Sequence, residues 1–214
     1  MLNFILDLIY PNVCGFCNKI NKDSLCDECE EHFYKKLLCN IDIYDDKFFI
    51  QHLYLFKYDE EIRKYILDYK FNDKAYIFKT FAKLFIKNEK ICGFFEKYDI
   101  IIPVPIHKKR FNVRGYNQSY LIAREICKYI KNFKLENNVL VKVNNTKPQS
   151  TLTKLERSEN AKNAYTINNI EKIQNKKILL LDDIYTTGST VNECSKLLKL
   201  NGAKEVGIIT LAKD

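Results

Sequence analysis

Glycine is scarce in this chain, with six residues in 214. Neither a Walker A loop nor a Gly-x-Gly-x-x-Gly run occurs, so glycine motifs give no support to an ATPase or a dinucleotide-dependent enzyme. Long apolar runs are missing too. No stretch approaches the ~20 residues that span a bilayer, which argues against membrane insertion. Residues 1–10 are apolar but few, carry Asp7, lack a basic leader and show no small-residue cleavage site. No secretory signal is expected from them, and a cytoplasmic location is. There is no internal repeat and no low-complexity linker.

What is present suits a globular protein. With 46% hydrophobic and 29% charged residues, the chain can bury a core and stay soluble. Its length fits one main domain with a small appendage. The formal charge of +8 favours anionic partners, although lysine-rich surfaces serve solubility as well.

One of the few glycines sits in an unusual setting. Ile178 to Leu181 is an apolar run suited to a strand buried on both faces, followed by Asp182-Asp183 and the hydroxyl-rich turn Thr186-Thr187-Gly188-Ser189-Thr190. Val191, Cys194, Leu197 and Leu198 then fall on one helical stripe. A strand, a turn and a helix start in this order make a phosphate site: helix-start amides lack intrahelical partners, and the hydroxyls add donors. Ionised carboxylates only accept, so Asp182 and Asp183 suit a ribose 2',3'-diol or a hydrated Mg²⁺, and neighbours on a strand point opposite ways. The bland alternative is a solvated strand end with Thr190 as a helix cap.

Cysteine gives the second signal. Cys14, Cys17, Cys26 and Cys29 form C-x2-C-x8-C-x2-C, two knuckles that aim paired thiolates at one tetrahedral ion, with zinc the expected metal and Gly15 easing the first turn. A disulfide pair is the competing reading and needs an oxidising compartment. A piece of about 35 residues buries too little surface to fold alone, and four sulfur ligands leave no open position, so the ion would be structural. Cys39, Cys92, Cys127 and Cys194 lack this spacing and read as small apolar residues.

Elsewhere, strand and helix patterns alternate. Strands are expected at Phe48–Phe56, Asp99–Val104, Val139–Val143 and Val206–Leu211, and helices at Glu60–Tyr69, Ala75–Lys87, Tyr116–Ile130 and from Thr190 to Asn201, where Gly202 acts as a stop. That order predicts an α/β fold with a mostly parallel sheet flanked by helices, and a ligand beyond the carboxyl ends of its strands. After Pro103-Val104-Pro105, a basic loop holds His107, Lys108, Lys109, Arg110 and Arg114, suited to pyrophosphate oxygens or simply solvated. The polar stretch Thr146–Asn160, with Lys154 and Arg157, reads as a lid or as a Thr-capped helix from Thr153.

The run Asp182 to Thr190 resembles the signature of the type I phosphoribosyltransferases, which bind 5-phosphoribosyl-1-pyrophosphate (PRPP). This resemblance assigns the acids to the ribose hydroxyls, Thr186 to Thr190 to the 5'-phosphate, and the basic loop after Val104-Pro105 to pyrophosphate. Nearly end to end, the chain resembles the ComF family. The resemblance rests on Pro11 and the four knuckle cysteines, Tyr69-Lys70-Phe71, Val104-Pro105, Arg114-Gly115-Tyr116-Asn117-Gln118, Pro148-Gln149, Leu152, Arg157 and the Asp182 signature. Tyr116 replaces the usual Phe, and Lys108-Lys109 stand where Pro or Arg is common.

The family implies a type I phosphoribosyltransferase fold over 46–214 and a zinc-binding segment over 1–45. It also implies PRPP with Mg²⁺ as ligand, and Asp182, Asp183, Lys154 and Arg157 as catalytic residues of a phosphoribosyltransferase. The biological role implied is natural transformation: uptake and cytoplasmic handling of single-stranded DNA, in association with competence DNA-import proteins. The alternatives are nucleotide or amine metabolism without DNA, or a retired enzyme kept as a PRPP sensor.

Overall fold

The computed structural model describes residues 12–130, 133–144 and 163–214. The expectations for residues 1–11 and for the Thr146–Asn160 lid, with Lys154 and Arg157, fall outside them.

After the two knuckles come α1 (Asp27–Lys36), β1 (Asn40–Ile43), β2 (Gln51–Lys57), α2 (Glu60–Phe71), α3 (Ile77–Ile86) and α4 (Glu89–Phe95). Next are β3 (Ile100–Pro103), α5 (Lys108–Arg114), α6 (Gln118–Ile126), β4 (Lys134–Leu135) and β5 (Leu140–Lys142). The chain continues with β6 (Tyr165–Ile167), β7 (Lys177–Tyr185), α7 (Ser189–Leu200) and β8 (Glu205–Lys213). Six strands form one sheet in the order β1-β2-β8-β7-β3-β4. Only β1 runs antiparallel, against β2; the remaining pairs are parallel.

The central strands behave as their composition predicts. Ile178 to Leu181 is fully buried, with Leu179 and Leu181 in the core on one sheet face and Ile178 and Leu180 in the core on the other. Each such side chain contributes roughly 1.5–3 kcal/mol on burial. Local signals set the helix ends. Asp59 caps α2 by accepting from the Ile62 amide at 2.9 Å, and Asn117 caps α6 through the amides of Ser119 and Tyr120. Gly202, at φ +100°, follows the end of α7 as expected.

Three expectations change. The strand near Val139 exists as β5, but it pairs with β6 in a separate antiparallel ribbon rather than joining the sheet. The basic loop is largely helix, as α5, because His107 supplies a cap: its Nδ1 accepts from the Lys109 amide at 3.2 Å. Gly15 serves close approach instead of turning the knuckle. A Cβ there would lie 2.2 Å from Thr80 Oγ1 on α3, whereas the left-handed residue in the knuckle is Asn18, at φ +61°.

The knuckles share the main core. Cys14, Phe16 and Phe33 sit in one buried cluster with Ile66 and Phe81, and the Phe16 ring lies 3.9 Å from Phe33 and 5.7 Å from Phe81. Thr80 Oγ1 donates to the Ser24 carbonyl, joining α3 to the loop between the knuckles. Among the described residues, no helix is long and apolar enough to cross a membrane.

Candidate functional site

The carboxyl end of β7 lies between β3 and β8, with Leu181 opposite Pro103 and Asp182 opposite Thr210. The Val104 amide donates to the Leu181 carbonyl at 2.9 Å, which brings the start of α5 and α6 alongside the acid pair. Asn117 holds this junction by donating from Nδ2 to the Val104 carbonyl at 3.1 Å. The turn then enters α7. Thr187 and Ser189 share a 2.8 Å hydroxyl contact, and Gly188 adopts φ +72° directly over the Tyr185 ring. A Cβ at Gly188 would approach Tyr185 Oη to 2.3 Å, so this turn needs glycine for conformation and for space.

Strand alternation sends the two acids to different neighbours. Asp183 is buried and meets Lys70 Nζ of α2 at 2.7 Å and Gln118 Nε2 of α6 at 2.8 Å, both on Oδ2. Gln118 is itself held: its side-chain oxygen accepts from Arg114, and its carbonyl accepts from Tyr69 Oη at 2.8 Å. The Arg114 guanidinium also stacks 5.0 Å from the Phe71 ring. Burial raises the Asp183 carboxyl, but Lys70 and Gln118 outweigh it and hold the group below its ordinary range.

Asp182 lies on the other face. Its carboxyl is pushed up to about 7, first by burial and then by the Asp183 charge, against a partial offset from its hydrogen bond to the Asp183 amide. Lys142 of β5 and Tyr165 of β6 stand within electrostatic range of it, and Lys142 Nζ donates to Tyr165 Oη at 3.2 Å. Burial, followed by Arg110, lowers the Lys142 ammonium. The β5–β6 ribbon therefore forms a hood over the Asp182 side.

The predicted basic residues divide. Arg114 reaches the acid pair through Gln118, and Arg110 acts electrostatically on Lys142 and Tyr165 under the hood. Lys108 and Lys109 are exposed, and His107 is a helix cap. Sequence reasoning gave no role to Lys70, Gln118, Lys142 or Tyr165. Lys70 and Gln118 stood in the motifs that carried the family resemblance, but only the packing of α2 and α6 on β7 identifies their partner. The hydroxyl of Tyr116, which stands in place of the usual Phe, donates to the Tyr69 carbonyl and ties α2 to the start of α6.

The second constellation is the cysteine cluster. The Sγ atoms of Cys14, Cys17, Cys26 and Cys29 all lie within 4.8 Å of one another, with Cys17 and Cys26 at 3.7 Å. Metal–sulfur bonds of about 2.3 Å in a tetrahedron set the sulfurs about 3.8 Å apart, so the cluster fits one metal ion. Burial raises the Cys14 thiol, but amides of Cys17, Cys26 and Phe16 outweigh it and bring the group down to about 7. Burial and the neighbouring thiols push Cys29 up. No disulfide joins any of the cysteines.

Comparison with known proteins agrees with this geometry. A family model described as the phosphoribosyl transferase domain matches residues 117–214. Competence protein F of Haemophilus influenzae is 29% identical over 97% of this chain and 93% of its own length. Competence protein ComFC of Bacillus subtilis is 27% identical over 98% of this chain and 81% of its own. DNA utilization protein YhgH of Escherichia coli O6:H1 is 32% identical over 54% of this chain and 49% of its own. With relatives aligned along almost its whole length and a phosphoribosyl transferase domain over its carboxyl-terminal part, the chain is similar to the ComF-type competence proteins.

Proposed function

We propose that the protein binds PRPP with Mg²⁺ at the carboxyl end of β7 and acts in the handling of single-stranded DNA during natural transformation, in the cytoplasm. One observation carries the PRPP reading. An acid pair at a parallel strand end, with Asp183 buried and Asp182 partly exposed, leads through a hydroxyl turn and a left-handed glycine directly into the start of a twelve-residue helix. In this reading the amides and hydroxyls of Thr186 to Thr190 hold the 5'-phosphate, and Asp182 and Asp183 face the ribose hydroxyls and the hydrated metal. Arg110 and Arg114 supply positive charge for pyrophosphate, joined by His107, Lys108 and Lys109 as α5 turns toward the ligand. Lys154 and Arg157 close over it. Bound PRPP would supply an electrophilic C1' and a leaving pyrophosphate.

Asp183, already ion-paired, serves as a fixed acceptor. Asp182 is partly exposed and has no ion-pair partner among the described residues, which suits it to a cation or to hydroxyl donors. The competence and DNA-utilization names of the relatives support the DNA half of the reading. Zinc is the metal proposed for the four cysteines, in a structural role that fixes Phe16 and Phe33 in the core over residues 1–45 and against the domain 46–214.

Calorimetry with PRPP and Mg²⁺ tests the central claim. Binding is expected in the wild type and is lost on Asp182→Ala with Asp183→Ala; unchanged binding in that variant rejects the site. Pyrophosphate release across purine, pyrimidine and amine acceptors, with and without single-stranded DNA, separates an enzyme from a sensor. One zinc per chain by elemental analysis, with a lower melting temperature after chelation, is the expected result at the cysteines. Deletion of the gene should abolish transformation, and normal transformation would reject that role.

A further inference from the structure

A cleft of about 560 Å³ opens where the knuckle loop, α3 and the segment after α6 meet. α6 starts at Gln118, beside the acid pair, and ends at Ile126; the cleft lies past this far end, lined by Glu125, Lys128 and Tyr129. Five lysines from three parts of the chain line it, namely Lys22, Lys79, Lys83, Lys87 and Lys128, against the carboxylates of Asp23 and Glu125. Lys79, Lys83 and Lys87 recur every fourth residue, so their stems rise along α3 in steps of about 6 Å. Asp23 holds Lys83 at 2.5 Å, Glu125 holds Lys128 at 2.6 Å, and Glu30 holds Lys87. Among the described residues Lys22 and Lys79 have no ion-pair partner, and both are exposed. Tyr129 stands at the same cleft with 61% of its surface exposed.

A row of ammonium groups at regular spacing suits a ligand carrying several phosphates in series. An exposed aromatic face beside such a row suits a stacked base, the pairing by which proteins hold single strands. A lone phosphate would need neither the length of the row nor the ring. We infer that this cleft is a docking surface for single-stranded nucleic acid, separate from the PRPP site. The inference rests on the DNA-handling reading above and adds the surface.

Fluorescence anisotropy of labelled twenty-nucleotide oligo-dT and oligo-U with the full chain, across a salt series, tests it. Lys22→Gln with Lys79→Gln should lower the slope of log affinity against log salt by about 1.4, at about 0.7 for each phosphate no longer neutralised. Tyr129→Ala should weaken binding about fivefold or more with little change in slope. A control of equal charge, Lys176→Gln with Lys196→Gln, should bind as the wild type does, and all variants should keep the wild-type melting temperature. Stronger binding of oligo-U than oligo-dT would still support the cleft, with RNA as its strand. If the wild type binds and the Lys22/Lys79 variant matches the control, the cleft assignment is overturned while DNA handling stands. If the wild type binds neither strand, or prefers duplex, both fall.

Discussion

Asp183 and Asp182 are adjacent on β7, yet different halves of the chain surround them. The Asp183 side is furnished from the earlier half, by Lys70 of α2 and Gln118 of α6, with Arg114 behind. The Asp182 side is furnished by β5, β6 and α7, through Lys142, Tyr165 and Cys194, and includes no direct ion pair among the described residues. On the first side the fold has already compensated the carboxylate. On the second it leaves a partly exposed carboxyl without an ion pair, raised by desolvation and by the Asp183 charge, so a cation bound there would gain most. In the proposed reading, stability and binding are thus divided between two neighbouring residues.

Removing the compensated acid should have the largest effect. Asp183→Ala leaves Lys70 and Gln118 facing a gap, and the unpaired, largely buried ammonium should cost about 3–5 kcal/mol in urea unfolding. The double variant Lys70→Met, Asp183→Leu should recover much of that. A loss below about 1 kcal/mol for Asp183→Ala would show that the ion pair compensates nothing.

Asp182→Asn should act with the opposite sign and depend on pH. The folded-state carboxyl is raised from 3.8 to about 7, so folding favours its protonated form, and wild-type stability from this group is lost as pH rises from about 4 to about 7. Asparagine carries no charge and can still accept from the Asp183 amide. The variant should therefore match the wild type near pH 4 and exceed it at pH 8, by up to about 4 kcal/mol, while binding PRPP less tightly. Thermal melts at the two pH values decide this, and a variant that is less stable at pH 8 would erase the contrast between the acids.

The smallest effect is expected under the hood. Tyr165→Phe removes the acceptor of the Lys142 hydrogen bond and should cost about 1 kcal/mol. A much larger loss would mean that the hood carries as much structural load as the Asp183 side.

The sequence made some of these features readable and hid others for physical reasons. β7, its turn and α7 could be read because strand burial, the Gly188 conformation and the Val191–Leu198 stripe are local properties of contiguous residues. The knuckles were legible from spacing alone. α5 was missed because nothing in Lys108–Arg114 forms an apolar stripe, and its cap is a histidine. β1 and β4 were missed because four and two residues are too few to show a period. β5 was found, but its partner β6 was not, since pairing across more than twenty residues leaves no local trace. Lys70 escaped for a related reason: an ion pair 113 positions along the chain from Asp183 is fixed by the packing of α2, not by sequence neighbourhood.

The strand order carries a consequence for biosynthesis. β8 lies between β2 and β7, so the strand made after every other described element is the one that joins the two halves of the sheet. Until Glu205–Lys213 leaves the ribosome, β2 and β7 each present an unpaired edge, and the acid pair lacks the wall that Thr210 belongs to. Assembly of the site must wait for β8. A product cut short before Glu205 would carry two unpaired sheet edges, which makes it a natural substrate for proteolysis.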